Sequence, residues 1–248
     1  MENKKPTVTA HVLVKNEENY IWYAINSVLP YVDKMIIFDT GSTDKTVEII
    51  NEIVKKDNNK KIIFEEKGEV DKQTHTDLRN EMIQKTETDW FIILDGDEVW
   101  PEDQILYLIN EELSCSEKLD KNCVMVCFHL SSVDLYHYTE KGHFGTPWGL
   151  HGQFAQRLYK KVKQIHWNGE YLKDRLYYGN STDVVTQENI YFSTCYYWHL
   201  SKLHRSSKDS DTFFRKKPSK MHFLPKFIKI LISKKINIPL PSIFSVGR

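Results

Sequence analysis

The sequence has no Cys-x-x-Cys pair. Its four cysteines, Cys115, Cys123, Cys127 and Cys195, lack the spacing of a zinc site, and four in 248 residues do not make a disulfide scaffold. It has no apolar run approaching the ~20 residues that span a bilayer. Its opening, Met1-Glu2-Asn3-Lys4-Lys5-Pro6, lacks an apolar signal core, so the expected setting is reduced and cytoplasmic. It has no net charge, with 34 basic and 34 acidic side chains, which argues against a dedicated nucleic-acid binder. No Gly-x-Gly-x-x-Gly follows any candidate strand, which disfavours a dehydrogenase. After Asp211 there is no Asp or Glu, although Arg215, Lys216, Lys217 and further lysines follow, so an acidic body carries a basic tail.

What is present is an alternation of short apolar runs and amphipathic stretches. Thr7 to Val14 is β-branched and apolar, as a buried strand requires. Asn16 is a candidate N-cap for a helix carrying Ile21, Ile25 and Val28, which Pro30 stops. Lys34 to Phe38 predicts a second strand. Gly41-Ser42-Thr43 then turns and caps a helix with Val47, Ile50 and Val54 on one face. Ile62 to Phe64 and Trp90 to Leu94 predict two more strands, with a helix marked by Leu78, Met82 and Ile83 between them. Pro101 suits the first turn of the next helix, which shows Ile105, Leu108 and Ile109. Val124 to Leu130, Phe154 to Tyr159 and Tyr191 to Trp198 look like strands among Gly, Pro and aromatic-rich loops. Strand–helix alternation with continuous apolar runs predicts an α/β fold, a largely parallel sheet covered on both faces. In such sheets ligands bind beyond the carboxyl ends of the strands. The polar clusters that follow the strands would gather on that edge.

The densest cluster is Asp95-Gly96-Asp97-Glu98, three carboxylates in four residues after a buried strand. They repel one another unless a cation or solvent intervenes. Magnesium or manganese accepts such oxygens and shares itself with phosphate. The plainer alternative is a solvated Asp-Gly turn. In Asp39-Thr40-Gly41-Ser42-Thr43-Asp44, Asp39 is an acceptor for a base N–H or a ribose hydroxyl, or part of a strand–helix turn, while Asp44 suits capping alone. Arg79 on its helix offers a fork for a base carbonyl or phosphate, or a solvated face.

Four stretches in this order, Val12 to Glu18, Phe38 to Asp44, Leu78-Arg79-Asn80 and Leu94 to Glu98, resemble glycosyltransferase family 2 over roughly the first hundred residues. The resemblance implies a GT-A fold: a mostly parallel, Rossmann-like sheet sandwiched by helices, with a more irregular acceptor-side second half. It implies inverting transfer from a nucleoside-diphosphate sugar. By that likeness Leu13 and Lys15 border the nucleotide, Asp39 and Arg79 contact its base, Asp95 sits near the ribose and donor sugar, and Asp97 ligates Mn2+ or Mg2+. His199, in Tyr196-Tyr197-Trp198-His199, resembles a late histidine that completes the metal or touches the diphosphate, and Arg205 is a second diphosphate candidate. Arg157-Leu158-Tyr159 and Trp167-Asn168-Gly169 resemble a branch that often continues to a His-Glu pair. Here Leu172-Lys173 stands in that place, so the base is sought in Asp174, ahead of Glu170.

The expected layout is one domain over residues 1–211, with a donor half to 115 and an acceptor half from 116, and a basic tail over 212–248. The aromatic stretch from Tyr136 to Trp148 is either an acceptor-facing loop or core. The tail, with Phe227, Ile228, Ile230 and Leu231 among lysines, suits contact with an inner membrane surface or a partner, or else stays unstructured. The acceptor is a saccharide, a lipid-linked saccharide or a protein side chain. Two rivals remain at this point, a nucleotidyltransferase and a non-catalytic sugar- or partner-binding module. Against the first, the loop after the first strand reads Lys15-Asn16-Glu17-Glu18, with no glycine.

Overall fold

A computed structural model of the chain describes residues 5–114, 119, 123, 125–132, 154–170, 175–178, 182–183, 190–200 and 205–208. Asp174, His204, the Tyr136 to Trp148 stretch and the basic tail lie outside the described residues. In chain order the elements are β1 (Val8–Val14), α1 (Ile21–Val28), β2 (Lys34–Asp39), α2 (Thr46–Lys56), β3 (Ile62–Glu66), α3 (Lys72–Lys85), β4 (Trp90–Ile93), β5 (Glu98–Val99), α4 (Glu102–Tyr107), β6 (Met125–Ser132), β7 (Phe154–Lys160), β8 (His166–Asn168), β9 (Arg175–Tyr178), β10 (Thr182–Asp183) and β11 (Ile190–His199).

Eight described strands form one sheet in the order β3-β2-β1-β4-β7-β6-β11-β5, and β10-β9-β8 form a second. The first four strands run parallel. β7 then enters antiparallel to both β4 and β6, β11 is parallel to β6, and β5 is antiparallel to β11. The expected α/β, GT-A-like architecture is therefore present, with parallel pairing concentrated in the first half.

A period of two is hidden inside the continuous apolar runs. On one face Val8, Ala10, Val12 and Val14 of β1, Met35 and Ile37 of β2 and Ile92 of β4 pack with α1, α2 and α4. On the other, Ile36 and Phe38 pack on Leu78 and Met82 of α3, and Phe91 and Ile93 pack on Ile83, Tyr159 and Trp167. Burying both faces is why these strands show no polar alternation.

Three local expectations are corrected. Asn16 does not cap α1, whose N-cap is Tyr20. Asn16 takes a left-handed φ of 55°, and its side chain accepts the Thr43 N–H at 2.8 Å, so the neighbouring loop has captured the cap. The helix instead starts from a turn in which Tyr20 and Ile21 both donate to the Glu17 carbonyl. On α2 the fully buried stripe is Thr46, Ile49, Ile50 and Ile53, with Val47 and Val54 only half-buried. Asp44, not Gly41 to Thr43, accepts the Thr46 N–H that opens that helix.

On the second face of the sheet His11 of β1 is buried at 4% exposure, stacked on Phe91 at 4.7 Å and 2.6 Å from the Thr86 hydroxyl. Burial, with Lys161 and Arg79 adding positive charge nearby, pushes its imidazole down to about 3. The folded state therefore keeps His11 neutral while the unfolded chain takes up a proton below about pH 6.5, so stability is lost as pH falls. We expect His11 to contribute a loss of about 2 kcal/mol between about pH 6.5 and pH 5. Its ring resonances in NMR should stay flat down to about pH 4, and a His11→Gln variant should lose stability less steeply on acidification. Titration of the His11 ring near pH 6 would contradict this.

Candidate active site

Parallel registry brings the strand ends level: Val14 pairs with Asp39, Asp39 with Glu66, and the Leu94 N–H extends β4 by donating to the His11 carbonyl. The loops that leave β1, β2 and β4 thus share one edge, and a cleft of about 730 Å³ opens there. Leu13, Lys15, Arg79, Asp95, Asp97, His199 and Arg205, all named from the sequence, line it, together with Thr40, His75 and Trp167.

The β1 and β2 loops are cross-tied by polar contacts. Asn16 N–H donates to Ser42 Oγ and Glu17 N–H to the buried Thr46 hydroxyl, each at 2.8 Å. Asp39 is 2% exposed, and its Oδ1 accepts the N–H groups of Gly41 and Ser42 at 3.0 and 2.9 Å. This turn needs Gly41, which sits at φ 86°. Asp39 Oδ2 has no hydrogen-bond partner among the described residues. Asp39 does not itself line the cleft; Thr40 beside it does. Lys15 reaches the cleft rim in an exposed pair with Glu69, a contact that contributes little in solvent.

Past β11 the chain returns to these loops. Arg205 Nη1 donates to Glu17 Oε1 at 2.9 Å, Ser206 Oγ to Asp44 Oδ2 at 2.5 Å, and the Ser207 N–H to Glu18 Oε1 at 2.6 Å. The Glu17-Glu18 pair and Asp44 therefore anchor residues 205–207, a role the sequence did not disclose. Asp44 does more than cap its helix.

The acidic loop after β4 separates its carboxylates. Glu98 is fully buried and paired through β5 with His199 of β11. Arg157 of β7 donates from Nε to both Glu98 oxygens at 3.0 Å, and from Nη2 to Glu98 Oε1 and to Asp95 Oδ2, the latter at 2.8 Å. Burial pushes the Glu98 carboxyl up to about 7 against the pull of Arg157. Burial also opposes charge on Asp95, but Arg157 first, then Arg79, hold its carboxyl below the usual range. The guanidinium, although desolvated, stays firmly charged beside Glu98 and Asp95. Asp97 is 4% exposed, and its Oδ1 lies 3.5 Å from His199 Nε2. Burial works against the His199 imidazolium, while Asp97, Glu98 and Asp95 raise its pKa above the ordinary value.

In the same cleft, the Arg79 guanidinium lies 4.7 Å from the centre of the Trp167 ring. The Asn80 side chain donates to the Trp167 carbonyl at 2.9 Å and accepts its N–H at 2.7 Å. The Trp-x-Gly turn is thereby fastened to α3. Glu170, just after it, is exposed and does not line the cleft.

No cluster of three or more metal-ligating side chains occurs among the described residues. Asp97 and His199 offer one carboxylate and one imidazole side by side. Such a pair can hold a hard divalent ion that takes its remaining ligands from water and phosphate oxygens, and the imidazole suits manganese better than magnesium.

The model of the family described as glycosyl transferase family 2 matches residues 9–172, about two thirds of the sequence. The chain belongs to glycosyl transferase family 2. An uncharacterized glycosyltransferase of Haemophilus influenzae is 32% identical over 108 residues, 42% of this chain and 42% of that protein. The SPbeta prophage-derived glycosyltransferase SunS of Bacillus subtilis is 32% identical over 98 residues, 38% of this chain and 21% of that protein. The chain spans less than half the length of these curated relatives. S. aureus TarS shares the fold at a TM-score of 0.51 and 16% identity, over 78% of this chain and 36% of that one. The family 2 membership and the GT-A-like sheet expected from the four motifs are thus both found.

From the sequence, Glu98 was read only as part of the acidic cluster, and Arg157 and Trp167 only as parts of motifs resembling a family branch; none of the three was given a role of its own in the site. Gly96 yields the prediction. A Cβ there would lie 2.6 Å from Glu17 Cγ and 2.9 Å from Glu17 Cβ. Glu17 is held at both ends, by Thr46 and by Arg205, so it yields poorly. Gly96→Ala should cost about 1–3 kcal/mol in urea unfolding. A variant as stable as the parent would mean that Glu17 moves aside freely.

Proposed function

We propose that this family 2 chain transfers a sugar from a nucleoside-diphosphate sugar to an acceptor hydroxyl with inversion at the anomeric carbon. The observation that carries this is the shared cleft, in which Asp97 and His199 stand together beside Asp95, with Arg79 and Trp167 in the same lining. Leu13, Lys15 and Arg79 border the nucleotide. Asp39 stands one residue behind the cleft-lining Thr40, and its Oδ2, without a hydrogen-bond partner among the described residues, is the acceptor we assign to the base. Asp95 meets the ribose and donor sugar. Asp97 and His199 hold Mn2+ or Mg2+. When bound, that ion supplies positive charge to offset the departing diphosphate. Arg205, at the same cleft, adds a cation for the diphosphate.

The acceptor hydroxyl passes its proton to a carboxylate as it attacks. Glu170 stands off the cleft, so we assign that role to Asp174. The acceptor class is a saccharide, a lipid-linked saccharide or a protein side chain. Residues 1–211 make the transferase unit, split near 115 into donor and acceptor halves, and 212–248 form a basic tail outside it. No described helix is long and apolar enough to cross a membrane. We assign the chain to the cytoplasm, with the tail resting on an anionic inner membrane surface. The family match gives no support to a nucleotidyltransferase.

Uridine and guanosine diphosphates, each with and without manganese, should raise the melting point of the protein by mass action, a stabilisation of about 2.7 kcal/mol at a hundredfold excess over Kd. Asp97→Ala should remove the manganese-dependent part and slow donor hydrolysis at least tenfold. If a chelator and Asp97→Ala both leave nucleotide binding and donor turnover unchanged, the proposal fails.

A further inference from the structure

We propose that Arg157 is a positioning residue for Asp95. Anchored by Glu98, it ties down Asp95 Oδ2 and leaves Oδ1 for the bound donor, an inference that rests on the nucleotide-sugar reading above. The geometry is specific. Ile92 of β4 pairs with Leu158 of β7, which sets Arg157 beside the strand end from which Asp95 departs. Glu98 serves as anchor on two counts: its carboxylate receives Arg157 Nε and Nη2, and its Oε2 also accepts the Asp95 backbone N–H at 3.2 Å. Backbone and side chain of Asp95 are thus held by one buried carboxylate and one arginine.

The pair with Glu98 alone would satisfy a buried arginine. The extra bond from Nη2 to Asp95, a side chain that remains 42% exposed in the cleft, serves no burial requirement. Asp95 Oδ1 has no hydrogen-bond partner among the described residues, so one carboxylate oxygen is fixed and the other is open to a ligand. A planar guanidinium can bridge two carboxylates in this way; a lysine ammonium is a single point charge and cannot reproduce the fork. Fixing one oxygen removes the rotation that Asp95 would otherwise lose on binding the donor. Arg157 therefore acts through Asp95 and does not touch the diphosphate itself.

A double-mutant cycle tests this. Binding of uridine diphosphate glucose and guanosine diphosphate mannose, with manganese, is measured by calorimetry on the full chain, its Arg157→Lys and Asp95→Asn variants, and the double variant. Each single change should weaken binding of the accepted donor about tenfold, and the double variant should bind no more weakly than Asp95→Asn alone. If Arg157→Lys does not fold, as judged by far-UV circular dichroism and melting, Glu98→Gln takes its place in the cycle. Losses that simply add, or an Arg157→Lys variant with unaltered affinity, would overturn the positioning role while leaving the transferase reading intact. A parent protein that binds neither these donors nor any nucleoside diphosphate would instead overturn the transferase reading, and this inference with it.

Discussion

Three carboxylates within four residues can share one strand end only if each is turned toward a different partner. Glu98 turns inward, fully buried, and would be untenable there without Arg157, because a desolvated charge left unpaired costs several kcal/mol. Asp95 takes the remaining arm of the same guanidinium. Asp97 is turned toward His199, which arrives on the last strand because Glu98 and Val99 pair with that strand's end. The Leu200 N–H closes the arrangement by donating to the Asp97 carbonyl at 2.8 Å. One buried ion pair thus separates an anchor, a ligand-facing carboxylate and a candidate metal ligand inside a single tetrapeptide.

The other loops of the cleft obey the same logic at lower stakes. Their acids sit where the chain must be held. Glu17 and Glu18, beside the first strand, and Asp44, beside the second, receive the backbone and side chains of residues 205–207. Glu17 can reach its place only because Gly96 has no side chain. The first, second, fourth and last strands of the chain are therefore fastened to one another around the cleft before any ligand enters. A rim ordered in advance loses less freedom on binding.

The parallel half of the fold was readable in the residues themselves. Runs such as Lys34 to Phe38 and Trp90 to Leu94 can only be strands buried on both faces, and turn chemistry brackets them. Asn16 misled because a side chain fit to cap a helix was equally fit to accept the Thr43 N–H, and a tertiary contact decided between them. Val47 and Val54 misled because their spacing was helical while the sheet selected the adjacent stripe. Arg157 was legible as part of the Arg157-Leu158-Tyr159 motif, but its pairing was not. Its partners lie 59 and 62 positions away, beyond the range of any local pattern.

Adjacent residues of one helix show how closely the two halves of the chain are coupled. Arg79 faces the cleft, while Asn80 grips the Trp167 backbone with both ends of its amide. The ring so held covers the Arg79 guanidinium, and it also packs at 5.9 Å against Tyr159 on the strand that carries Arg157. A cation over the face of an indole is attracted by the ring's quadrupole, so the contact helps to hold the Arg79 guanidinium at the cleft wall. The wall that would meet a nucleotide is therefore assembled from both halves of the chain. A displacement of the small β8–β9–β10 sheet reaches Arg79 through Trp167, and reaches Asp95 through Tyr159 and Arg157 on β7. The Arg79 wall of the cleft and the geometry of the second half cannot vary independently in such an arrangement.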